Sequence, residues 1–397
     1  MIYQVDSLRG AQPLNSPSDI AGRVSINNQF FPTIDVLRAL AAISVVMFHV
    51  IGYNQWTDFY HYPGFLLRQG WLGVDLFFVI SGFVISMSLF ALFDSGESYR
   101  AKFLIKRAFR ICPLHYITCA AFVILITPHL VFQSDIAKYV ALYATFLYNF
   151  DFKHSGLING PNWSLAIEVQ FYLLIAFIIP FLRKANPWLV LVSSLVIAAA
   201  WRSACYWALK DDADKIFALF FFTTQLPGMI DSFAMGFVIA RIMTDLEYAM
   251  LRHWCSKNLW LLNGVAVVAY GVAHYIFSRI PPSWDDWRLW YRWYILISHH
   301  VLTASAFTFL VLISCFLNSP RWLKISAPVR YLGVISYGIY LWHVIVILAL
   351  KKISDLSPGI RLILTVGLTI VLASASWHLI EKPLSRRVRA NTVHSLS

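Results

Sequence analysis

The sequence predicts an all-α fold, a polytopic membrane helix bundle of about ten transmembrane helices. Hydrophobic residues make up 59% of the chain and charged residues only 13%, against about 25% charged in soluble domains. Apolar runs long enough to cross a bilayer recur along the whole length. The basic residues fall in short clusters between those runs rather than in one patch, which is the pattern of membrane topology.

Residues 1–30 are polar and contain Pro, Gly and Ser without the apolar core of a signal peptide. They are expected to form a cytoplasmic tail, partly disordered. Spanning runs follow at about 35–53, 71–93, 111–131, 161–182, 187–209, 216–240, 258–278, 293–317, 331–352 and 358–380. Residues 137–150 read as a shorter helix lying against the bundle or in the interface. In the sixth run, "QLPGMIDSF" brings Pro227 and Gly228, which should kink or unwind it. Irregular backbone at that depth is tolerated where protein or a wet cavity surrounds it. The expected organisation is the tail 1–30, a membrane domain 31–385 and a short cytoplasmic tail 386–397.

Ten spans put both termini on one side. Lys and Arg are denser on that side, most of all in "YRAKFLIKRAFR" between the second and third runs, so both termini are expected in the cytoplasm. A multi-pass membrane location follows. The net charge of +12 therefore marks topology and contact with membrane lipids, and nucleic acid is not an expected partner. No internal repeat, Walker loop, dinucleotide fingerprint or HExxH motif occurs. Cys112, Cys119, Cys205, Cys255 and Cys315 have neither metal spacing nor a disulfide framework. They read as small buried apolar residues.

Ionisable groups at membrane depth are costly and point to function. Here they are Arg38, His49, Asp75, Arg110, His115, Glu168, Asp231 and His343. Arg38 and His49 sit eleven residues apart in the first run, "IDVLRALAAISVVMFHV". Eleven helical steps return to nearly the same face, ~16 Å further along the axis. Counting at ~1.5 Å per residue gathers His49, His343, Glu168 and Asp75 in the outer half of the bilayer, with Arg38, Arg107 and Arg110 near the inner surface. Arginines suit a phosphate-bearing ligand, and an outer cluster of His and carboxylate suits removal of a hydroxyl proton. The bland alternatives stay open on these grounds: Arg107 and Arg110 as topology anchors, a structural His, and Asp75 or Glu168 pairing to hold helices together.

At these residues the chain resembles the acyltransferase-3 membrane proteins, which O-acylate bacterial surface glycans and some small molecules. The resemblance spans about 32–385. It is carried by "FPTIDVLRALAAISVVMFHV", "GWLGVDLFFVISGFVIS", "FLIKRAFRICPLHY", "NWSLAIEVQFYLL", "LPGMIDSFAMGFVIA" and "ISYGIYLWHVIV", six segments in the family's order. It implies a bacterial inner-membrane location, ten helices, acetyl-CoA or another acyl-CoA as donor from the cytoplasm, and an acceptor hydroxyl on the outer side, with no metal. Arg38, Arg107 and Arg110 would hold the CoA end. His49 would be the general base, or alternatively an acyl carrier in a two-step reaction. Glu168 would pair with a histidine, Asp75 would do the same or bind acceptor hydroxyls, and His343 would transfer a proton or face the oxyanion. Trp163, Ser164 and Asp231 would shape the substrate pocket, with packing an equal alternative for Trp163.

Some members carry a further extracytoplasmic hydrolase-like domain. This chain ends soon after "HLIEKPLSRRVRANTVHSLS" and is expected to work alone or with a separate partner. The expected acceptor is an exopolysaccharide, lipopolysaccharide or lipid-linked oligosaccharide. A macrolide-type small molecule is an alternative, and a transporter or acyl-group carrier without acceptor chemistry is a second class. The outer segment "PPSWDDWRLWYRW" suits sugar stacking or an interfacial belt equally. A homodimer through a lipid-facing span is compatible with the sequence, though nothing points to it.

Overall fold

The computed structural model describes residues 31–56, 67, 69–95, 98–209, 216–278, 293–353 and 355–387, and among these every regular element is a helix. The tail 1–30, the end of the C-terminal tail and most of the aromatic outer segment lie outside the described residues. In chain order the helices are α1 (Ile34–Asn54), α2 (Gly73–Asp94), α3 (Tyr99–Leu125), α4 (Ile136–Ala144), α5 (Trp163–Leu182), α6 (Pro187–Leu209), α7 (Ile216–Thr223) and α8 (Leu226–Thr244). They continue as α9 (Ala249–Lys257), α10 (Leu259–Ser278), α11 (Trp293–Ser314), α12 (Pro320–Ile325), α13 (Ala327–Val334), α14 (Ser336–Lys351) and α15 (Pro358–Ser376). Among the described residues nine helices are long and apolar enough to cross a membrane, and ten if α13 and α14 count as one bent span.

Three expected spans are drawn differently. The third begins at Tyr99 rather than near 111, because the basic cluster is itself helical. Its Arg, Lys, Ala and Leu are good helix formers, and α3 stops at Leu125, ahead of Pro128. The sixth is two helices, α7 and α8, broken ahead of Pro227, which occupies the first turn of α8 where its missing N–H costs nothing. The ninth is bent by 70° between α13 and α14. Cys119, Cys255 and Cys315 are buried as expected, while Cys112 and Cys205 are half-buried, and all five are free thiols.

Helix ends meet on two opposite faces. On one, Arg183 after α5 donates to Asp94 of α2 (2.9 Å) and to Asp245 after α8 (2.5 Å). On the other, Lys352 after α14 donates to the carbonyl of Leu125 at the end of α3 (2.8 Å). The expected alternation of helix direction accounts for both.

Inside a bilayer, helices gain little from burying apolar surface and associate by close packing. Helices α2 and α8 do so through Gly82 and Gly236. A Cβ on Gly82 would lie 2.2 Å from the Phe233 carbonyl oxygen, and one on Gly236 would lie 2.2 Å from that of Val79. Gly333 plays the same part where α13 crosses the start of α1, since its Cβ would lie 1.8 Å from the Asp35 carbonyl oxygen. That contact sets α14 alongside α1 and brings His49 and His343 together.

Candidate active site

Helices α1 and α14 run side by side, and each presents one histidine to the other. Nδ1 of His343 lies 2.7 Å from the Tyr340 carbonyl oxygen. A carbonyl can only accept, so this nitrogen carries the proton and Nε2 of His343 is left with its lone pair. That lone pair faces Nδ1 of His49 at 3.1 Å. His49 Nδ1 also lies 3.0 Å from the Val45 carbonyl oxygen, so it too is a donor. Nε2 of His49 is then the unprotonated nitrogen. His343 is fully buried, whereas His49 is half-buried. The less buried ring is thus the one whose Nε2 lone pair is unbonded among the described residues.

A cavity lies towards the α1 N-terminus from this pair. Arg38, Arg107, Arg110, Glu168 and Ser164 all line it, together with Tyr340, one turn before His343. Among the described residues the Arg38 guanidinium makes no hydrogen bond or ion pair, and its opposing charges are Asp35 and Glu168. Arg107 lies over the rings of Phe103 (5.3 Å) and Tyr172 (5.4 Å). Arg110 differs. It is ion-paired with Glu381, a carboxylate only 2% exposed, and is flanked by Tyr337 and Trp377. Two of the three expected ligand arginines are therefore uncommitted to a carboxylate, and the third is a helix tie as well as a wall.

The chain matches the acyltransferase domain family over residues 31–378. It belongs to that family. Similar proteins include the peptidoglycan O-acetyltransferase OatA of Listeria monocytogenes, 27% identical over 91% of this chain and 56% of that protein. The O-acetyltransferase OatA of Staphylococcus aureus is 26% identical over 90% of this chain and 58% of that protein. The chain thus spans just over half the length of these relatives. No solved structure matches it.

The remaining expected residues of this acyltransferase-family chain separate into other groups. Among the described residues Glu168 pairs with no histidine. Its Oε1 accepts from Ser81 Oγ (2.8 Å) and Tyr172 OH (2.6 Å), on the cavity wall. His343 has both its nitrogens engaged, Nδ1 by the Tyr340 carbonyl and Nε2 by His49. Asp75 is turned away from the cavity: Val74, Phe77, Phe78 and Ser81 of α2 line it, and Asp75 instead lies 3.2 Å from His300 Nδ1. Asp231 is fully buried and is held by His300 Nε2 (3.2 Å), Arg202 (3.3 Å) and the Ser232 N–H (2.8 Å). Asp75 and Asp231 therefore belong to one buried network tying α2, α6, α8 and α11. The pocket-shaping role expected of Asp231 does not fit an atom sealed this way.

Ser164 Oγ lies 2.7 Å from Tyr340 OH, so it stiffens the cavity's end. Trp163 packs edge-on against Phe78 and Phe220. His115 is a structural residue, its Nε2 lying 3.2 Å from the Tyr143 carbonyl and its ring stacking on Phe146. Sequence reasoning missed Arg202 and His300, although both are ionisable groups inside predicted spans. It also missed Ser81, and with it Tyr172 and Tyr340, although Tyr172 stands four residues after Glu168 and Tyr340 three before His343, the spacing of helix neighbours. Among the described residues no group of three His, Cys, Asp or Glu side chains could hold a metal ion.

Proposed function

We propose that this chain is a membrane O-acyltransferase that moves an acetyl group from acetyl-CoA, bound from the cytoplasmic side, to a hydroxyl of an extracytoplasmic glycan. Peptidoglycan is the first acceptor to test, because the name of the Listeria monocytogenes relative specifies it. The observation that carries this reading is the tautomer chain from Tyr340 through His343 to His49, which leaves His49 Nε2 as a free base. A base so oriented takes the acceptor's proton as its oxygen attacks the thioester carbonyl. The C–S bond then breaks, and the proton on His49 passes to the departing CoA sulfur. While His49 is an imidazolium, the His343 lone pair and the Val45 carbonyl face its Nδ1–H and stabilise the charge.

The arginine cavity suits the other substrate. Arg38 and Arg107 offer guanidinium forks to phosphates or to the pantetheine amides, and the cavity ends at Tyr340 beside the histidine pair. Direct attack needs no acyl-enzyme, so it is the simpler course.

The test is mass spectrometry of surface glycans from cells that carry wild type, His49→Ala or no copy. Gain of acetyl mass in the wild type alone supports the reading and identifies the acceptor. Unchanged glycans in all three contradict it and favour small-molecule acylation or transport.

A further inference from the structure

A second cavity opens on the opposite side of the histidine pair from the arginines. Its volume is about 330 Å³, and it is lined by Tyr53, Asn54, Gln55 and Trp56 from the end of α1, by Lys351 from the end of α14 and by Arg361 from the start of α15. Tyr53 follows His49 by one turn, and the two rings lie 6.0 Å apart. The cavity wall therefore adjoins the base directly.

Its composition is specific. Two aromatic rings and two carboxamides offer flat apolar faces beside hydrogen-bonding edges, which is the chemistry that grips a pyranose. Two cations join them, and among the described residues no carboxylate lines the cavity. Arg361 is fixed by donating to the carbonyls of Leu350 (3.1 Å) and Ile353 (3.0 Å), with further N–H groups to spare. Lys351 makes no hydrogen bond or ion pair with a described residue. Gln55 is held at φ +53°, a left-handed conformation that side chains other than glycine rarely adopt. Its own N–H caps α1 through the Gly52 carbonyl. The chain turns there so that Asn54, Gln55 and Trp56 all border one space.

We infer that this cavity is the acceptor subsite and that it selects a sugar bearing an anionic group, a carboxylate or phosphate, which Lys351 and Arg361 neutralise. The inference rests on the reading of His49 as the base, since it is the adjacency to His49 that makes the cavity an acceptor site. It adds what that reading leaves open, the charge class of the glycan. A lipid headgroup phosphate is the competing source of the same anion.

The experiment uses the full chain in phosphatidylcholine nanodiscs with two probes of equal length, neutral chitotetraose and anionic hyaluronan tetrasaccharide. Binding is read by calorimetry and acetyl transfer from acetyl-CoA by mass spectrometry. The expected result is about tenfold tighter binding of the anionic probe, the scale of one charge-assisted hydrogen bond. Lys351→Gln should abolish the preference and Lys351→Arg restore it. Equal binding of both probes by wild type, or a preference untouched by Lys351→Gln, overturns the inference. So does loss of the preference when phosphatidylglycerol is added to the disc, which would give the cations to lipid. Binding preference without transfer to either probe would count against the acyl-transfer reading and leave the anionic subsite standing. Transfer without preference would do the reverse.

Discussion

Nε2 of His343 stands 3.1 Å from Nδ1 of His49, and each ring is anchored to a backbone carbonyl one helical turn earlier. Two carbonyls thus determine two tautomers, and the buried histidine orients the accessible one. In this respect His343 takes the place that a carboxylate occupies in other base-orienting arrangements.

Unequal consequences follow for the two residues. His49→Gln removes the base and should lower kcat by about 10³-fold, within the usual range for general base catalysis. His343→Gln leaves the base present but unheld and should lower kcat on the order of 10- to 100-fold, with KM for acetyl-CoA unchanged. Steady-state kinetics of both variants at matched amounts of folded protein would check this. A KM effect from His343→Gln would instead indicate a merely structural role.

The arginines of the first cavity should also divide. Arg38 has no carboxylate bonded to it, so Arg38→Lys should raise KM for acetyl-CoA about tenfold through loss of the bidentate fork, with little change in thermal stability. Arg110→Ala would strand the Glu381 carboxylate, 2% exposed. Removing one partner of a buried pair costs about 3–5 kcal/mol. Thermal unfolding in detergent should separate Arg110→Ala, strongly lowered, from Arg38→Lys.

Close helix contact predicts a packing phenotype far from the chemistry. Gly236→Val would drive side-chain atoms into the Val79 carbonyl, which even a Cβ would approach to 2.2 Å. Overpacking of this kind costs about 1–3 kcal/mol or more. The folded yield should fall, whereas Gly264→Ala, where nothing lies within 4 Å, should be neutral. Size-exclusion profiles of the two variants are the check.

Outside the spans, the segment between α3 and α5 is tied by a charge cluster. Asp151 is held by Lys138 and lies 2.8 Å from His154 Nδ1, while Asp135 lies 3.1 Å from both His154 Nε2 and Lys153. The Lys138 bond to Asp151 and the His154 bond to Asp135 hold both carboxyls below the usual carboxylate range. A depressed folded pKa gives stabilisation that is complete above the ordinary carboxylate value of about 3.9 and is lost as pH falls through the folded values. Hydrogen-exchange protection factors over 135–155 should match at pH 7 and 5 and decline below pH 4. A decline already at pH 6 would contradict this assignment.

Much of the fold was legible because spanning helices announce themselves by length and composition. The bend at Ile335 was not, since no proline stands there; it follows from Gly333 docking on the Asp35 carbonyl, a tertiary contact. The helical basic cluster at the start of α3 falls outside a search for apolar runs, although its Arg, Lys, Ala and Leu favour helix. At the site, Arg38 and His49 could be placed on one face by helical arithmetic, and His343 at the depth of His49. Their partners could not. Depth along a helix is readable from sequence, but azimuth is not, and azimuth turns Asp75 towards His300 and Glu168 towards Ser81 and Tyr172. Arg202 and His300 were within reach of the same rule that found Asp231, namely that a charge at membrane depth requires a partner.

The central claim is that the His49 imidazole takes the acceptor's proton. The most direct measurement is transfer of isotope-labelled acetyl from acetyl-CoA to isolated cell-wall glycan by the full chain in nanodiscs, wild type beside His49→Gln at equal folded protein. The expected result is transfer by wild type and a loss of about 10³-fold in the variant. Transfer by His49→Gln within twofold of wild type, or label that reaches no hydroxyl with either protein, would contradict it.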